Sequence, residues 1–245
     1  MSLKLYEMTR LGLEPFLPPL HRHVRLRLSR EVKKHQSPPR ILDVGGRKSP
    51  YTIGIPAQIT IIDLPRDSEI QRELNLGINQ TVIDQTQKRR SNIKEMLLGD
   101  MTRSDLPDAS FDHVVSVEVL EHVEEDDLFV KEVYRVLKPG GVFIMTTPNG
   151  DWVENKNPDH KRHYKKRELN ALLNKYFDEV SVDYAIVGGH YRKLGLKSWS
   201  LNHPIKTASS ILGNVVNGIQ SANQETKHQA KGTHHLIAVA RKNRR

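Results

Sequence analysis

The sequence predicts an α/β protein built on a doubly wound, mostly parallel sheet. The first indication is a strand, helix and strand that follow one another over residues 111–150. Two buried strands joined by a crossover helix pair in parallel. The second indication is that three earlier apolar runs each end in an acid, at Asp43, Asp63 and Asp100. Because ligands of such sheets bind beyond the carboxyl ends of the strands, the site is expected at that edge.

The strand–helix–strand unit has clear boundaries. Its strands are the Val-rich run Phe111–Val117 and the run Val142–Thr146. The acids of residues 124–127 favour the first turn of the helix, where the helix dipole stabilises negative charge. Lys138–Gly141 is expected to stop the helix and turn the chain. The apolar positions with helical spacing are Leu128, Val130, Val133, Val136 and Leu137.

The chain of 245 residues is long enough for one α/β domain with additions. Residues 1–39 are predicted to form a basic helical extension and residues 40–245 the main domain, with an insertion at about 188–233. In the extension, His21–His35 is strongly basic and has an apolar stripe at helical spacing. This helix could pack on the flank of the sheet, or it could cover or recruit an anionic substrate.

The remaining elements are predicted with less detail. Residues 66–92 should hold a helix and a surface loop, and Lys165–Phe177 a further helix. Strands are expected at Val180–Val187 and His235–Ala240. The insertion contains a helix that begins at Pro204, and it could be a lid, face a partner or pack on the domain. Its apolar face is traced by Ile205, Ala208, Ile211, Leu212, Val215, Val216 and Ile219.

Composition limits the classes of partner and compartment. The net charge of +9 comes from 38 Lys and Arg against 29 Asp and Glu. It favours anionic partners such as nucleic acid, phosphorylated substrates or anionic lipid. The absence of Cys excludes disulfides, thiolate metal sites and a Cys nucleophile. No apolar run is long enough for a membrane span and no signal peptide is evident, so a cytoplasmic protein is expected.

Glu118, Glu121 and His122 follow the strand Phe111–Val117 at spacing i, i+3 and i+4. If a helix begins near Glu118, the three side chains share one face. Two carboxylates and an imidazole could hold Mg²⁺ or Mn²⁺ with His160 as a further ligand. Alternatively, His122 or His160 acts as a general base or contacts the substrate. In the third interpretation the carboxylates only cap the N-terminus of a helix.

Several segments resemble the class I S-adenosylmethionine-dependent methyltransferases. The sequences FDHVVSVEVLEHV and RVLKPGG are the most specific of them, and the similarity extends over residues 40–187 and the last strand. The resemblance implies a Rossmann-like, seven-stranded sheet whose last strand is antiparallel. The family's turn is acid-x-Gly-x-Gly-x-Gly, and this chain departs from it with Arg47 and Ser49 at the later two glycine positions.

The resemblance also implies roles for individual residues. Asp43, Gly45 and Gly46 would form the loop near the methionine part of S-adenosylmethionine, and Asp63 would bind the ribose hydroxyls. Asp63 follows Asp43 by 20 residues, the usual spacing of such an acid in nucleotide-binding units. The remaining cofactor contacts expected from the family are Asp100 at the adenine amino group, Met101 against the ring, and Val117 and Glu118 at the methionine end.

The expected function is methyl transfer to an oxygen of a polar small molecule, a glycan or a lipid-linked intermediate. The E-x-x-E-H motif resembles the ubiquinone-biosynthesis O-methyltransferases and the RNA 3′-terminal 2′-O-methyltransferases, two branches that use metal. In the RNA branch a His follows in an Asp-His-Lys stretch, as Asp159-His160-Lys161 stands here. RNA 2′-O-methylation is therefore an alternative, and a methyltransferase-like module without catalysis is a third.

Overall fold

The computed structural model describes residues 2–65 and 77–244, with the side chain of Lys48 left aside. Within these residues, seven strands form a single sheet. They are β1 (Arg40–Val44), β2 (Gln58–Asp63), β3 (Ile93–Leu98), β4 (Phe111–Val117), β5 (Leu137–Pro148), β6 (Glu179–Val187) and β7 (Thr233–Arg241). The strand order is β3-β2-β1-β4-β5-β7-β6.

The helices of the described residues flank this sheet. They are α1 (Leu5–Leu13), α2 (Pro19–Val32), α3 (Gln80–Arg89), α4 (Asp126–Val136), α5 (Lys166–Leu173), α6 (His190–Gly195) and α7 (Pro204–Ser221). None of them is both long enough and apolar enough to cross a membrane.

The sheet confirms the predicted fold class. β1 to β5 pair in parallel, whereas β7 runs antiparallel between β5 and β6. The polarity of the last strand matches the expectation drawn from the family. β1 and β4 are neighbours whose connections leave in opposite directions, so the strand order reverses between them. A ligand crevice forms at such a reversal point.

Apolar side chains cover both faces of the sheet. One core lies under α4 and α5 and includes Phe129, Val133 and Leu169. The other lies under α2 and α3 and includes Leu28 and Ile83. Burial of large aliphatic and aromatic side chains on both faces explains why the strands are almost continuously apolar.

The N-terminal extension contributes to the second core. Leu20, Val24, Leu28 and Val32, the predicted stripe of α2, are buried against the sheet. Arg27, on the same helix, lies 3.4 Å from Asp183 of β6. Helix α2 therefore packs on the flank of the sheet, one of its two expected roles.

Two boundaries differ from the sequence prediction. Helix α4 ends at Val136, and β5 begins directly at Leu137 without an intervening turn. The Lys138–Gly141 segment belongs to an irregular start of β5, where Gly140 has φ +76° and the register to β4 shifts. In the region of residues 66–92 the predicted helix is α3, while the expected loop falls largely outside the described residues.

Candidate functional site

A cleft of about 300 Å³ opens at the carboxyl edge of the sheet, where the strand order reverses. It lies beyond the ends of β1, β2 and β4 and is closed on one side by Phe129 of α4. Six of the residues assigned to the cofactor line it: Gly45, Asp63, Asp100, Met101, Val117 and Glu118. The topology thus brings residues distant in sequence to one cavity.

Two acids lie on the wall formed by β2 and the segment after β3. Asp63 accepts a hydrogen bond from the backbone N–H of Leu64 at 2.9 Å. Asp100 accepts from the backbone N–H and from the hydroxyl of Thr102, both at 2.8 Å and through the same oxygen. These local bonds orient the carboxylates, which can accept hydrogen bonds from hydroxyl or amino groups of a ligand.

The turn after β1 requires its two glycines for different reasons. Gly45 has φ +69°, a conformation that side chains with a Cβ rarely adopt. A Cβ there would also lie 2.7 Å from the Val119 side chain. At Gly46 a Cβ would overlap the carboxyl group of Asp43. Gly45 lines the cleft, whereas Gly46 lies behind it.

Asp43 acts on the turn from inside the protein. Its side chain is fully buried, and it accepts hydrogen bonds from Tyr51 at 2.9 Å, from Thr52 at 3.0 Å and from the Ser49 hydroxyl. Burial raises the pKa of Asp43, and these bonds and the Arg90 charge oppose that rise. Asp43 does not line the cleft, so its contribution is to fix the turn. Ser49, which stands at the last glycine position of the family's turn, donates a hydrogen bond to Asp43 and so helps to fix it.

Glu118 has a strained backbone at the mouth of the cleft. Its φ is +55°, although it is not a glycine. The Thr146 hydroxyl donates to one carboxylate oxygen at 2.9 Å, and Nε2 of His235 lies 3.3 Å from the other. Burial acts to raise the pKa of Glu118, but the neighbouring His235 and the Thr146 bond hold it below its ordinary value. Thr146 and His235 therefore fix the position of the Glu118 carboxylate and favour its charged form.

The expected helix beginning near Glu118 is wrong. Residues Leu120–His122 form one 3₁₀ turn, and α4 begins only at Asp126. The left-handed backbone of Glu118 interrupts helical geometry, so Glu118 and Glu121 do not share a helical face. The capping interpretation fails for the same reason, because the acids in the first turn of α4 are Asp126 and Asp127.

Glu121 is fully buried below the cleft. Its two carboxylate oxygens have no hydrogen-bond partner within normal geometry in the described part of the chain. Burial, and then the negative charge of Glu118, raise the pKa of Glu121 well above its ordinary value. A buried carboxyl without partners favours its neutral form unless a cation lies beside it.

Three histidine rings form a row beside Glu121. Nδ1 of His122 lies 3.1 Å from the Asp159 carbonyl, and Nδ1 of His163 lies 2.9 Å from the Val153 carbonyl. Because a carbonyl only accepts, these contacts assign the proton to Nδ1 in both rings. Nε2 of His163 then accepts from Nδ1 of His160, which lies 2.8 Å away. His122 and His160 are thereby left with an unprotonated Nε2, and their ring centroids are 4.6 Å apart.

These residues can be compared with a metal site. One ligand atom each from Glu121, His122 and His160 lie within 4.8 Å of one another. Glu118, also predicted as a ligand, is not part of this group. One carboxylate and two imidazoles suit Mn²⁺ better than Mg²⁺, which prefers oxygen ligands and water. The orphaned buried carboxylate of Glu121 fits a cation at this position.

Sequence reasoning missed the residues that support Glu118 from other elements. His235 of β7 lies 3.3 Å from the Glu118 carboxylate, and the charge of Glu118 acts on His21 of α2. Burial lowers the pKa of His21 to about 4, and the charge of Glu118 only partly opposes this. The only hint in the sequence was the pair His234-His235 at the start of an otherwise apolar strand.

Comparisons with known proteins agree with this architecture. A family model described as a methyltransferase domain matches residues 56–145. A probable S-adenosylmethionine-dependent methyltransferase of Mycolicibacterium smegmatis is 34% identical over 108 residues, which make up 42% of this chain and 42% of that protein. The sterol 24-C-methyltransferase erg6 of Aspergillus fumigatus is 42% identical over 69 residues, 26% of this chain and 17% of the relative.

The fold itself is found in solved structures. The crystal structure of a SAM-dependent methyltransferase from Archaeoglobus fulgidus aligns with a TM-score of 0.57 and 17% identity, covering 91% of this chain and 94% of that one. The fold and the cleft define a doubly wound protein with a cavity at the strand reversal. Residues 56–145 match the methyltransferase-domain family, and over this region the chain is similar to S-adenosylmethionine-dependent methyltransferases. It spans less than half the length of the curated relatives named above.

Proposed function

We propose that the protein transfers the methyl group of S-adenosylmethionine to an oxygen of a polar small molecule, a glycan or a lipid-linked intermediate. The observation that carries this proposal is the contact of His122 Nδ1 with the Asp159 carbonyl, which leaves Nε2 as the acceptor nitrogen of a residue that lines the cleft next to Glu118. An acceptor hydroxyl must lose its proton, and an imidazole in this tautomer can take it.

The cleft fits the cofactor. Asp63 could accept hydrogen bonds from the ribose hydroxyls, and Asp100 from an amino group of the base. Met101 and Phe129 offer apolar surface to the ring. Glu118, ionised through its contacts with Thr146 and His235, suits the ammonium group at the methionine end.

If the methyl group is transferred by direct displacement, the protein has to orient the acceptor and remove its proton. When bound, S-adenosylmethionine supplies a methyl group attached to a sulfonium, which leaves as the neutral thioether. In a transfer of this methyl group to an acceptor oxygen, Nε2 of His122 would take the hydroxyl proton, and the carbon–sulfur bond would break as the carbon–oxygen bond forms. The Asp159 carbonyl holds the His122 ring in this tautomer, so that Nε2 would be available for the proton of the acceptor hydroxyl.

A divalent cation is the second way to activate the acceptor. Glu121, His122 and His160 could hold Mn²⁺, which would position the acceptor and lower the pKa of its hydroxyl. In that arrangement His122 is a ligand and the proton leaves to water or to another base. The two schemes make different predictions for a chelator and for Glu121.

The family does not determine the acceptor atom, because the sterol relative is named for methylation of carbon. An oxygen acceptor is favoured here by the base at the cleft. Carbon and oxygen acceptors both need a proton removed, but a hydroxyl can approach as a hydrogen-bond donor to an imidazole.

RNA 2′-O-methylation is the alternative that a specific observation favours. His160, in the Asp159–Lys161 stretch, is brought beside His122, and the protein carries a net charge of +9. The basic residues of α2, however, are partly used inside the protein. Arg25 donates to the backbone of Ile53, and Arg27 pairs with Asp183. This reduces the charge available for a phosphate backbone, and we therefore favour a smaller acceptor.

Calorimetry with S-adenosylmethionine and with S-adenosylhomocysteine tests the proposal. The wild type should bind both, and Asp63→Ala should weaken binding by at least about tenfold because a charge-assisted contact is lost. Asp105→Ala removes an exposed carboxylate outside the cleft and should bind as the wild type does. No heat from the wild type at high ligand concentration would contradict the enzymatic function and favour a non-catalytic module.

Labelled S-adenosylmethionine then separates the acceptor classes. The label should enter a small-molecule, glycan or lipid fraction of a cell extract and leave RNA unlabelled. RNA binding through several phosphates would fall steeply as salt rises, by about one log unit per log unit of salt for each contact. Label in RNA would overturn our preference, and so would steep binding that is lost on neutralising the basic residues Arg22, Arg25, Arg27, Arg30, Lys33 and Lys34.

A further inference from the structure

Helix α7 is oriented with its polar face inward. The residues of this helix that are buried are Ser210, Gly213, Asn214, Asn217 and Ser221. Ser210 donates to the Gly195 carbonyl at 2.9 Å, and Asn217 donates to the Val187 carbonyl at 2.6 Å. These bonds pair the donor groups of the buried side chains with backbone carbonyls and fix which side of the helix faces the protein.

Close packing against α6 holds the helix in this orientation. A Cβ added at Gly213 would lie 2.8 Å from the Gly195 backbone nitrogen and 2.9 Å from the Tyr191 carbonyl oxygen. Only a glycine allows the two helices to approach so closely. Asn214 adds hydrogen bonds to the carbonyls of Gly195 and Phe16. The helix therefore cannot rotate its apolar face inward without losing this contact.

The outward face of α7 carries a stripe of large apolar side chains. Ile205, Leu212 and Ile219 recur every seven residues and are 85%, 57% and 71% exposed. The segment that precedes the helix adds Leu201, which is 99% exposed, and Leu196, which is 55% exposed. Soluble proteins rarely leave several neighbouring large apolar side chains uncovered unless a partner covers them. We call these five residues the α7 apolar face.

The segment that carries the α7 apolar face has charges of one sign. Residues 184–224 contain no Asp or Glu, and they contain Arg192, Lys193, Lys197 and Lys206. Trp199, in the same segment, donates its indole N–H to Ser210 at 3.2 Å. Apolar side chains surrounded by cations, with a tryptophan nearby, are the composition that lies in the interface of an anionic bilayer. A convex helix with this charge matches a lipid surface rather than a groove of a partner protein.

We propose that α6, α7 and the segment between them dock on an anionic membrane surface, with the α7 apolar face inserted among the lipids. Docking is peripheral, since α7 does not span a bilayer. Burial lowers the pKa of Arg192 on α6 and the charge of Glu118 opposes this, so α6 lies on the side of the protein that faces the mouth of the cleft. The acceptor would then be an amphiphile whose polar head enters the cleft while its tail stays in the membrane, a deduction that rests on the proposed function.

Co-sedimentation of the full chain with vesicles tests the docking without any methyl transfer. The wild type should pellet with phosphatidylcholine vesicles that contain roughly one third phosphatidylglycerol, less with pure phosphatidylcholine, and less at high salt. The triple variant Ile205→Ser, Leu212→Ser, Ile219→Ser should lose at least about tenfold in partitioning. The triple variant Leu5→Ser, Leu98→Ser, Leu128→Ser, which changes exposed leucines elsewhere, should pellet as the wild type does.

Three outcomes would overturn the proposal. The wild type could stay in the supernatant, or the Ile205/Leu212/Ile219 variant could bind vesicles as the wild type does. The third is that analytical ultracentrifugation shows a dimer of the wild type which this variant does not form. The last result would assign the face to a second copy of the chain. Thermal unfolding and S-adenosylhomocysteine calorimetry on the same variants check that they are folded. Because calorimetry tests the cofactor and sedimentation tests the membrane, failure of either proposal can be recognised separately.

Discussion

Nε2 of His235 lies 3.3 Å from a carboxylate oxygen of Glu118 at the mouth of the cleft. The two residues belong to β7 and to the end of β4, which are separated in the sheet by β5. The side chain of Glu118 is 30% exposed and that of His235 only 7%, so the imidazole supports the carboxylate from inside. Thr146 of the intervening strand donates to the other oxygen, which completes a three-strand contact.

His235→Ala should shift the acid limb of cofactor binding to higher pH. Glu118 has a lowered pKa that depends on His235, so the variant should lose the Glu118 charge earlier as pH falls. Calorimetric titrations with S-adenosylmethionine over a series of acidic pH values measure this. His234→Ala is the control, since it leaves the 3.3 Å contact between His235 and Glu118 in place and removes only the smaller influence of His234 on the pKa of Glu118, so its acid limb should shift less. Identical acid limbs in both variants would contradict the assigned role of His235.

His122→Ala should lower turnover far more than cofactor affinity. Loss of a general base costs about 10²–10⁴ in rate, whereas no cofactor contact is assigned to the imidazole. Single-turnover assays with the labelled acceptor fraction give the rate, and calorimetry gives the affinity. His163→Ala, which removes the partner of His160 but not of His122, should reduce the rate less. A parallel loss of affinity and rate in His122→Ala would identify this residue as part of the cofactor site instead.

Glu121→Gln should separate the metal scheme from the base scheme. Because its folded-state pKa is raised, the Glu121 carboxyl costs stability above its ordinary pKa, and the neutral amide removes that cost. Without metal the variant should therefore melt at the same or a higher temperature than the wild type near neutral pH. If Mn²⁺ binds, it should raise the melting temperature of the wild type increasingly as pH rises and fail to do so in the variant.

Glu124→Gln, on the same segment, changes an exposed carboxylate and should respond to Mn²⁺ as the wild type does. A chelator should abolish methyl transfer only if the cation takes part in the reaction. Full activity in the presence of chelator, together with no effect of Mn²⁺ on melting, would exclude the metal scheme and leave His122 as the base.

Glu31→Gln should destabilise the contact between α2 and β7. Glu31 is 2.6 Å from Arg241 and 2.8 Å from Lys34. Burial would raise its pKa, but these cations lower it below the ordinary value of 4.5. The ion pair therefore contributes stability above that value, and the contribution is lost as pH falls through the folded-state pKa. We expect a loss of about 1–2 kcal/mol at neutral pH, because the Arg241 side chain is still partly exposed.

Urea unfolding at several pH values measures this difference between the wild type and Glu31→Gln. The two proteins should become equally stable in acid, where Glu31 is protonated. Lys34→Gln, which removes the more exposed cation and keeps Arg241, should cost less. If the difference in the free energy of unfolding between the wild type and Glu31→Gln stays unchanged at low pH, packing and not charge stabilises this contact.

The central strands were predictable because they are short, apolar and end at an acid or a turn. β4 has the predicted bounds, and the stripe of Leu20, Val24, Leu28 and Val32 is buried as periodicity required. Boundaries near glycine were less predictable. Leu137 continues the helical repeat of α4, yet pairing with β4 places it at the start of β5. The pairing that places Leu137 in a strand is made with β4, which is distant in sequence, so the local apolar pattern does not predict it.

The sequence by itself determined the sheet, the edge at which the cleft opens and the acids Asp63 and Asp100 that line it. Tertiary structure decided which side chains act together there. The left-handed backbone of Glu118 keeps its side chain and that of Glu121 from sharing a helical face. The side chains of His235, His21 and His160 come to the site from other elements. Tertiary structure also turned the apolar face of α7 outward, because buried serine and asparagine side chains of α7 donate hydrogen bonds to backbone carbonyls of α6 and β6. Periodicity gives the faces of a helix, but only its packing partners select the face that is buried.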